Sequence, residues 1–207
     1  MKNKLIFYTG ILGVSLFAIS SIAGGLLIEG YSVQRQYISE SYAIDTDYGL
    51  VLRSFGFIPS GVLIAIFCFS AHRYFLSSQL TKIGFYGMGI FYGIATVVVG
   101  LFPCDSGCNK EYIDPSISQM IHNLAGSMTY LFLPASMILI GVGLNQFRPY
   151  KRLIMTIIIC AIISILFIWV LFSNPDSQYL GVYQRIVEIM FIIVIIACAI
   201  EIRRNPV

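Results

Sequence analysis

The chain alternates between long apolar segments and short polar connections. Six segments are long enough to cross a bilayer as helices, since a hydrocarbon core of about 30 Å needs roughly 20 residues at about 1.5 Å per residue. The connections are too short to hold a soluble domain. The pattern therefore predicts an all-α fold, in which the whole chain, residues 1–207, forms one domain with a six-transmembrane-helix bundle. The predicted spans are residues 5–28, 50–71, 83–102, 121–144, 153–172 and 180–202.

The first span has a second interpretation as a signal peptide. MKNK precedes its apolar run, and the small residues SIA come just before Gly24, as in a cleavage site. The apolar run is longer than the core of about 7–15 residues that is typical of signal peptides. We therefore expect a membrane-spanning helix, and a cleaved segment would leave the other five spans oriented as before.

The composition indicates a membrane protein and argues against nucleic acid as its partner. Hydrophobic residues make up 57% of the 207 residues and charged residues only 11%, against about 45–50% and about 25% in soluble domains. The net charge is +3, and no Lys/Arg-rich run of five or more residues occurs, which argues against nucleic acid as a partner. We expect membrane lipids as partners, while a membrane-protein partner or a second copy remains open. No cofactor is predicted.

The basic residues predict the orientation, because Lys and Arg are retained on the cytoplasmic side of a membrane. Most of them fall on one side of a six-span arrangement, so both termini are expected in the cytoplasm, and the bacterial inner (plasma) membrane is the expected location. Loops 29–49, 103–120 and 173–179 are then expected to face outward. The cytoplasmic set is Lys2, Lys4, Arg73, Lys82, Arg148, Lys151, Arg152, Arg203 and Arg204, and the opposite set is Arg35, Arg53, Lys110 and Arg185.

Two cysteines lie just beyond the third span in the sequence CDSGC. Cys104 and Cys108 fall on the predicted outer, oxidising side, and four residues in a tight Gly-containing loop can bring them to disulfide distance. A disulfide that fixes this loop is the favoured interpretation. A redox-active dithiol is an alternative, although the C-x3-C spacing is not the usual one. A metal site that adds His122 and Asp105 is another alternative, although it fits no standard zinc spacing.

Charged residues in the apolar segments indicate a buried polar cluster. Arg185 and Glu188 are three residues apart in the last span, and therefore share a helical face. A lone charge near the bilayer midplane costs at least about 2.5–3.5 kcal/mol, so both should face the bundle interior. Arg53 and His122 begin other spans at the same outer level. We predict an outer cavity containing these four residues, whereas the alternative is an ion pair that only fixes helix register.

Four motifs give the chain a family resemblance. Together they resemble the bacterial six-span family called domain of unknown function 998, which implies a fold and topology but no established activity. The family is distantly similar to the Frag, DRAM and Sfk membrane proteins, some of which are tied to lipid homeostasis. The same motifs contain His122, Arg185, Glu188, Cys104, Asp105 and Cys108. The motifs are YISESYA (37–43), LFPCDSGC (101–108), SISQMIHNLAG (116–126) and GVYQRIVE (181–188).

The leading functional prediction is an outward-facing cavity that binds a lipid headgroup or another amphipathic molecule. Arg53 and Arg185 would contact an anion, with Glu188 as their counter-charge and His122 and Asp105 nearby. A lipid-modifying enzyme with His122 or Glu188 as general base is an alternative, but no nucleophile elbow, zinc-helix motif or phosphate loop is visible, so enzyme status stays open. A proton- or solute-coupled carrier and a membrane scaffold without a ligand are further alternatives.

Overall fold

The computed structural model describes residues 2–146 and 150–204, and this part of the chain contains helices joined by loops and no strand. The all-helical prediction is confirmed, and each of the six predicted segments coincides with one long helix. Arg148, which contributed to the predicted orientation, lies outside the described residues. The long helices are α1 (Lys2–Leu27), α2 (Gly49–Tyr74), α3 (Gln79–Leu101), α4 (Ile117–Leu144), α5 (Lys151–Ser173) and α6 (Leu180–Arg204).

Helices α1 to α5 are long and apolar enough to cross a membrane. Helix α5 has a mean hydropathy of 3.0, and only 28% of its most apolar window is buried within the protein. Large apolar side chains such as Leu12, Phe55 and Ile159 are half or more exposed on the outside of the bundle, as expected for a surface in contact with lipid. These are the properties of an integral multi-pass membrane protein, and α6 is a further long helix of that bundle.

The six helices form a ring in chain order. Each packs against the next, and α1 packs against α6 to close the ring. At the end where α1 begins, the interior is filled by fully buried side chains such as Phe67, Met137 and Ile195. The opposite end carries the first loop (residues 28–48), the second loop (102–116) and the short connection 174–179, and we call it the disulfide end. The bundle is therefore solid at one end and covered by loops at the other.

Helices α2 and α3 each contain a π-helical segment and cross at very short range. The segment Arg53–Phe57 leads up to Pro59, whose missing N–H cannot bond the carbonyl four residues earlier, so the helix widens there. The segment in α3 is Gly89–Ile94. A Cβ at Gly93 would stand 2.5 Å from the Ala65 backbone nitrogen, so only glycine permits this crossing.

Candidate functional site

A cavity of about 610 Å³ opens at the disulfide end, between the helices and the first two loops. Leu180, Gln184 and Glu188 line it from three successive turns of α6, so Glu188 lies about 12 Å farther along the helix axis than Leu180. Tyr92 of α3 and Tyr130 of α4 line the wall at this depth. The cavity therefore ends at Glu188 and the two tyrosines, which we call the deep end.

A chain of hydrogen bonds orients the Glu188 carboxyl group. The Ile38 N–H donates to Gln184 Oε1 over 2.7 Å, which leaves Gln184 Nε2 to donate to the Tyr130 hydroxyl over 2.8 Å. Because the Tyr130 oxygen accepts that bond, its own proton points to Glu188 Oε1, 3.1 Å away. The first loop therefore fixes the position of Glu188 through two side chains.

The second carboxyl oxygen has no such partner. Glu188 is 7% exposed and Tyr92 is 1% exposed, yet Glu188 Oε2 and the Tyr92 hydroxyl make no hydrogen bond of acceptable geometry within residues 2–146 and 150–204. The two groups are neighbours, close enough for a loose side-chain hydrogen bond to each other whose geometry is poor. A buried polar atom without a partner costs about 1–3 kcal/mol and is uncommon in native proteins. Both residues line the deep end of the cavity.

His122 occupies the cavity wall with a defined tautomer. Its Nδ1 lies 3.0 Å from the Phe102 carbonyl, and because a carbonyl can only accept, Nδ1 carries a proton. The neutral ring therefore has Nε2 as its acceptor. The ring centroid lies 6.2 Å from that of Tyr42. Burial, with the Glu188 charge acting in the same direction, raises the pKa of the Tyr42 hydroxyl, so this phenol is neutral.

Arg185 holds the first loop instead of pairing with Glu188. Its Nη1 donates to the Val33, Gln36 and Gly181 carbonyls at 2.9–3.0 Å, and Nη2 donates to the Tyr31 hydroxyl over 2.7 Å. An irregular loop has carbonyls without secondary-structure partners, and a guanidinium offers five donors to satisfy them. The predicted role of Arg185 as an anion contact therefore does not fit its geometry.

Arg53, like Arg185, does not line the cavity and donates to carbonyls of the first loop. Its Nη1 donates to the Tyr42 carbonyl over 2.7 Å and lies 3.5 Å from the Ala43 carbonyl. The predicted four-residue cluster is thus divided. His122 and Glu188 share the cavity, while the guanidinium groups of Arg53 and Arg185 support the loop that covers it.

Asp105 anchors the start of α4 and does not line the cavity. Its carboxylate accepts hydrogen bonds from the Ser116 hydroxyl and from the Ser116 N–H, the latter at 3.0 Å. These bonds lower the pKa of the Asp105 carboxyl. The Asp105 N–H donates to Gln119 Oε1 over 2.8 Å, and Gln119 Nε2 donates to Asn123, which lines the cavity. Asp105 is thus a structural neighbour of the cavity wall.

We expect acidification to weaken the hydrogen bonds between the Asp105 carboxylate and Ser116 at the start of α4. Because the folded pKa of Asp105 lies below its ordinary value, its stabilising contribution is complete above about pH 3.8 and is lost as the pH falls through the lower folded value. The measurement is the thermal unfolding midpoint of the wild type and of Asp105→Asn between pH 7 and 3. The gap between the two proteins should shrink on acidification, and a gap that stays constant would contradict the anchor.

The cysteine pair lies within the second loop and packs against the first loop. Cys104 and Cys108 stand at disulfide distance, with their Cα atoms 4.8 Å apart, and both are buried against Ala43. The Ile44 N–H donates to the Cys104 carbonyl over 3.0 Å. Within residues 2–146 and 150–204, no three His, Cys, Asp or Glu side chains are grouped to hold a metal ion.

Each of the four motifs that gave the family resemblance contributes residues to the lining of this cavity. Comparison with known protein families gives the same family as the motifs. Residues 11–201 match the family model described as "Protein of unknown function (DUF998)". The chain belongs to the DUF998 family. No curated protein and no solved structure matches it. The predicted resemblance to DUF998 is therefore confirmed, while similarity to Frag, DRAM and Sfk proteins stays a prediction.

In this DUF998 chain, the structure adds residues that sequence reasoning did not assign to the site. Glu40 is almost fully buried, and its Oε1 pairs with Lys110 Nζ at 2.8 Å. The same carboxylate accepts from the Tyr37 N–H over 2.8 Å. This ion pair joins the first and second loops at the cavity mouth. Tyr92 and Tyr130 form the deep end together with Glu188, and Gln184 lines the cavity one helical turn nearer the mouth. In the sequence, only the helical spacing of Gln184 and Glu188 could have indicated that these two residues share a face.

Proposed function

We propose that this DUF998 protein is a six-span protein of the plasma membrane that binds an amphipathic molecule, such as a lipid with its headgroup, in the cavity. In this proposal α6 is the sixth span, and the disulfide end faces away from the cytoplasm. The observation that carries the proposal is the cavity with two buried polar atoms, Glu188 Oε2 and the Tyr92 hydroxyl, that make no hydrogen bond of acceptable geometry with any described residue.

The size and lining of the cavity support an amphipathic ligand. Its volume of about 610 Å³ lies within the range of about 300–1,000 Å³ for small-molecule sites. Leu171, Phe172 and Leu180 supply apolar wall toward the mouth, whereas the deep end is polar. A ligand with a polar head and an apolar chain would match both parts, with its head at Glu188.

The interior beyond Glu188 supports a binding site with one opening. Phe191, Val194 and Ile195 follow on α6 and are fully buried, so packed side chains occupy the bundle below the deep end. This arrangement favours a binding pocket over the carrier alternative, which requires access from both sides of the membrane.

The proposed orientation of the bundle in the membrane is supported by the distribution of basic residues and by the position of the cysteine pair. Arg73, Lys82, Lys151 and Arg203 lie at the filled end of the bundle, at helix ends opposite the disulfide end, where the positive-inside rule places the cytoplasm. The cysteine pair at the other end fits an oxidising compartment.

Gly126 of α4 allows the cavity to be blocked without changing a polar group. Gly126 lines the cavity, and an added Cβ meets nothing within 4 Å. We expect Gly126→Trp to abolish a bound amphipathic molecule and Gly126→Ala to retain it. Native mass spectrometry of protein purified in a neutral detergent measures the lipid that remains bound.

Leu131→Trp is the matched control, because Leu131 lies on the same helix and is 65% exposed on the outer surface. The same aromatic ring there should leave the cavity ligand in place and change only loosely bound surface lipid. An identical set of bound molecules in Gly126→Trp and the wild type would contradict the proposed function.

A further inference from the structure

The cavity carries more acidic than basic groups. Glu111, Asp176 and Glu188 line it, and among its lining residues, all of which the structure describes, Lys110 is the only lysine or arginine. Lys110 lies at the mouth and is already paired with Glu40. The residues that line the cavity therefore favour a cation over an anion.

In the part of the chain that the structure describes, no basic side chain forms an ion pair with Glu188 at the deep end. Arg53 and Arg185 direct their guanidinium groups to carbonyls of the first loop and of α6, and His122 directs Nδ1 to the Phe102 carbonyl. Glu188 instead accepts a hydrogen bond from the Tyr130 hydroxyl and lies beside the Tyr92 hydroxyl. An ionised carboxylate buried among neutral groups is strongly stabilised by any positive charge that reaches it.

Aromatic rings surround the same point. Tyr42, Tyr92 and Tyr130 all line the cavity, and the ring of Tyr92 lies 5.8 Å from that of Phe17, another lining residue. The face of an aromatic ring attracts an organic cation, and the attraction is strongest where water is excluded. Aromatic walls around one carboxylate suit an ammonium group.

We infer that the deep end recognises an organic ammonium group on the amphipathic ligand, with Glu188 as its counter-charge and the tyrosine rings as its walls. The inference rests on the proposed function, since it names the head of the same ligand. A primary ammonium would donate hydrogen bonds to Glu188 Oε2 and to the Tyr92 oxygen. A quaternary ammonium would be held by charge and by the rings. Sulfate or phosphate heads without an ammonium would be repelled.

The test measures binding of radiolabelled decyltrimethylammonium to the full chain in maltoside micelles. Unlabelled decylammonium should compete well, decanol weakly and decyl sulfate least. Glu188→Gln keeps the shape of the side chain and removes its charge, so we expect it to lower the affinity by about tenfold or more. Tyr92→Phe keeps the ring, and should weaken decylammonium more than decyltrimethylammonium because it removes a hydrogen-bond acceptor.

The outcomes separate this inference from the proposed function. If decyl sulfate or decanol competes as well as decylammonium, or if Glu188→Gln binds decyltrimethylammonium unchanged, the cation inference is overturned. In that case, binding that is still lost in Gly126→Trp leaves the cavity proposal standing. Binding that is equal in the wild type and Gly126→Trp overturns both.

Two further competitors identify the source of the ammonium group. Nanodiscs containing phosphatidylethanolamine should compete if the ligand is a membrane lipid, whereas nanodiscs of phosphatidylglycerol should not. Competition by soluble decylammonium without competition by phosphatidylethanolamine would identify a free amphiphile, and would equally support an ammonium site. Stronger competition by phosphatidylglycerol would overturn it.

Discussion

Replacing Arg185 by alanine is expected to release the first loop from α6. The change removes donors from the Val33 and Gln36 carbonyls and from the Tyr31 hydroxyl, and hydrogen bonds to a charged group contribute about 1.5–3 kcal/mol each. We expect local destabilisation on the order of 3 kcal/mol. Hydrogen–deuterium exchange should show faster exchange of amides in residues 31–42, while the filled end of the bundle stays protected.

Arg185→Lys separates this structural role from an anion contact. Lysine keeps the charge but lacks the planar fork that reaches several carbonyls at once. It should therefore restore only part of the protection. Full protection in Arg185→Lys, or unchanged exchange in Arg185→Ala, would contradict the role of Arg185 as a clamp and would favour an ionic role.

Gly93→Ala is expected to separate α2 from α3. The new Cβ would stand 2.5 Å from the Ala65 nitrogen and 2.6 Å from its Cα, and backbone cannot yield as a side chain can. Overpacking typically costs about 1–3 kcal/mol and occasionally more, and the helix would also carry Tyr92 away from the deep end. Thermal unfolding in detergent should therefore show a lower midpoint, with weaker ligand binding.

Gly126→Ala is the matched control, because an added Cβ there meets nothing within 4 Å. Its unfolding midpoint should equal that of the wild type or exceed it, since alanine is the better helix former. Equal midpoints for Gly93→Ala and Gly126→Ala would show that the close crossing of α2 and α3 does not limit stability.

Helix positions could be predicted because apolar length is visible in sequence. The boundaries were less accurate, as in α4, which begins at Ile117 rather than at residue 121. Its start is set by the Ser116 side chain, which accepts from the Gln119 N–H over 3.1 Å. A hydropathy pattern detects apolar residues, whereas a polar capping residue extends a helix into its polar flank.

The composition of the site was only partly predictable. The high cost of a charge in lipid correctly indicated that Glu188 faces the bundle interior. Helical spacing alone could not show that the Arg185 side chain is directed toward the first loop. That choice depends on carbonyls of residues 33 and 36, which no pattern in α6 reveals. Tyrosines in the outer loops of a membrane protein are typical of an interfacial belt, yet Tyr37 and Tyr112 line the cavity. A phenol suits both places, because its ring is apolar and its hydroxyl is polar.

Cysteine labelling in intact cells can show whether the cavity opens outward and whether its deep end is acidic. Thr129 lines the cavity and is 8% exposed, whereas Ser136, on the same helix, is 5% exposed and does not line it. Two membrane-impermeant methanethiosulfonates, one with a trimethylammonium and one with a sulfonate group, are compared after correction for their rates with a free thiol. We expect Thr129→Cys to react, and to react faster with the cationic reagent, while Ser136→Cys stays unreactive. An unreactive Thr129→Cys, or a faster reaction with the sulfonate, would overturn an outward-opening cavity with an acidic deep end.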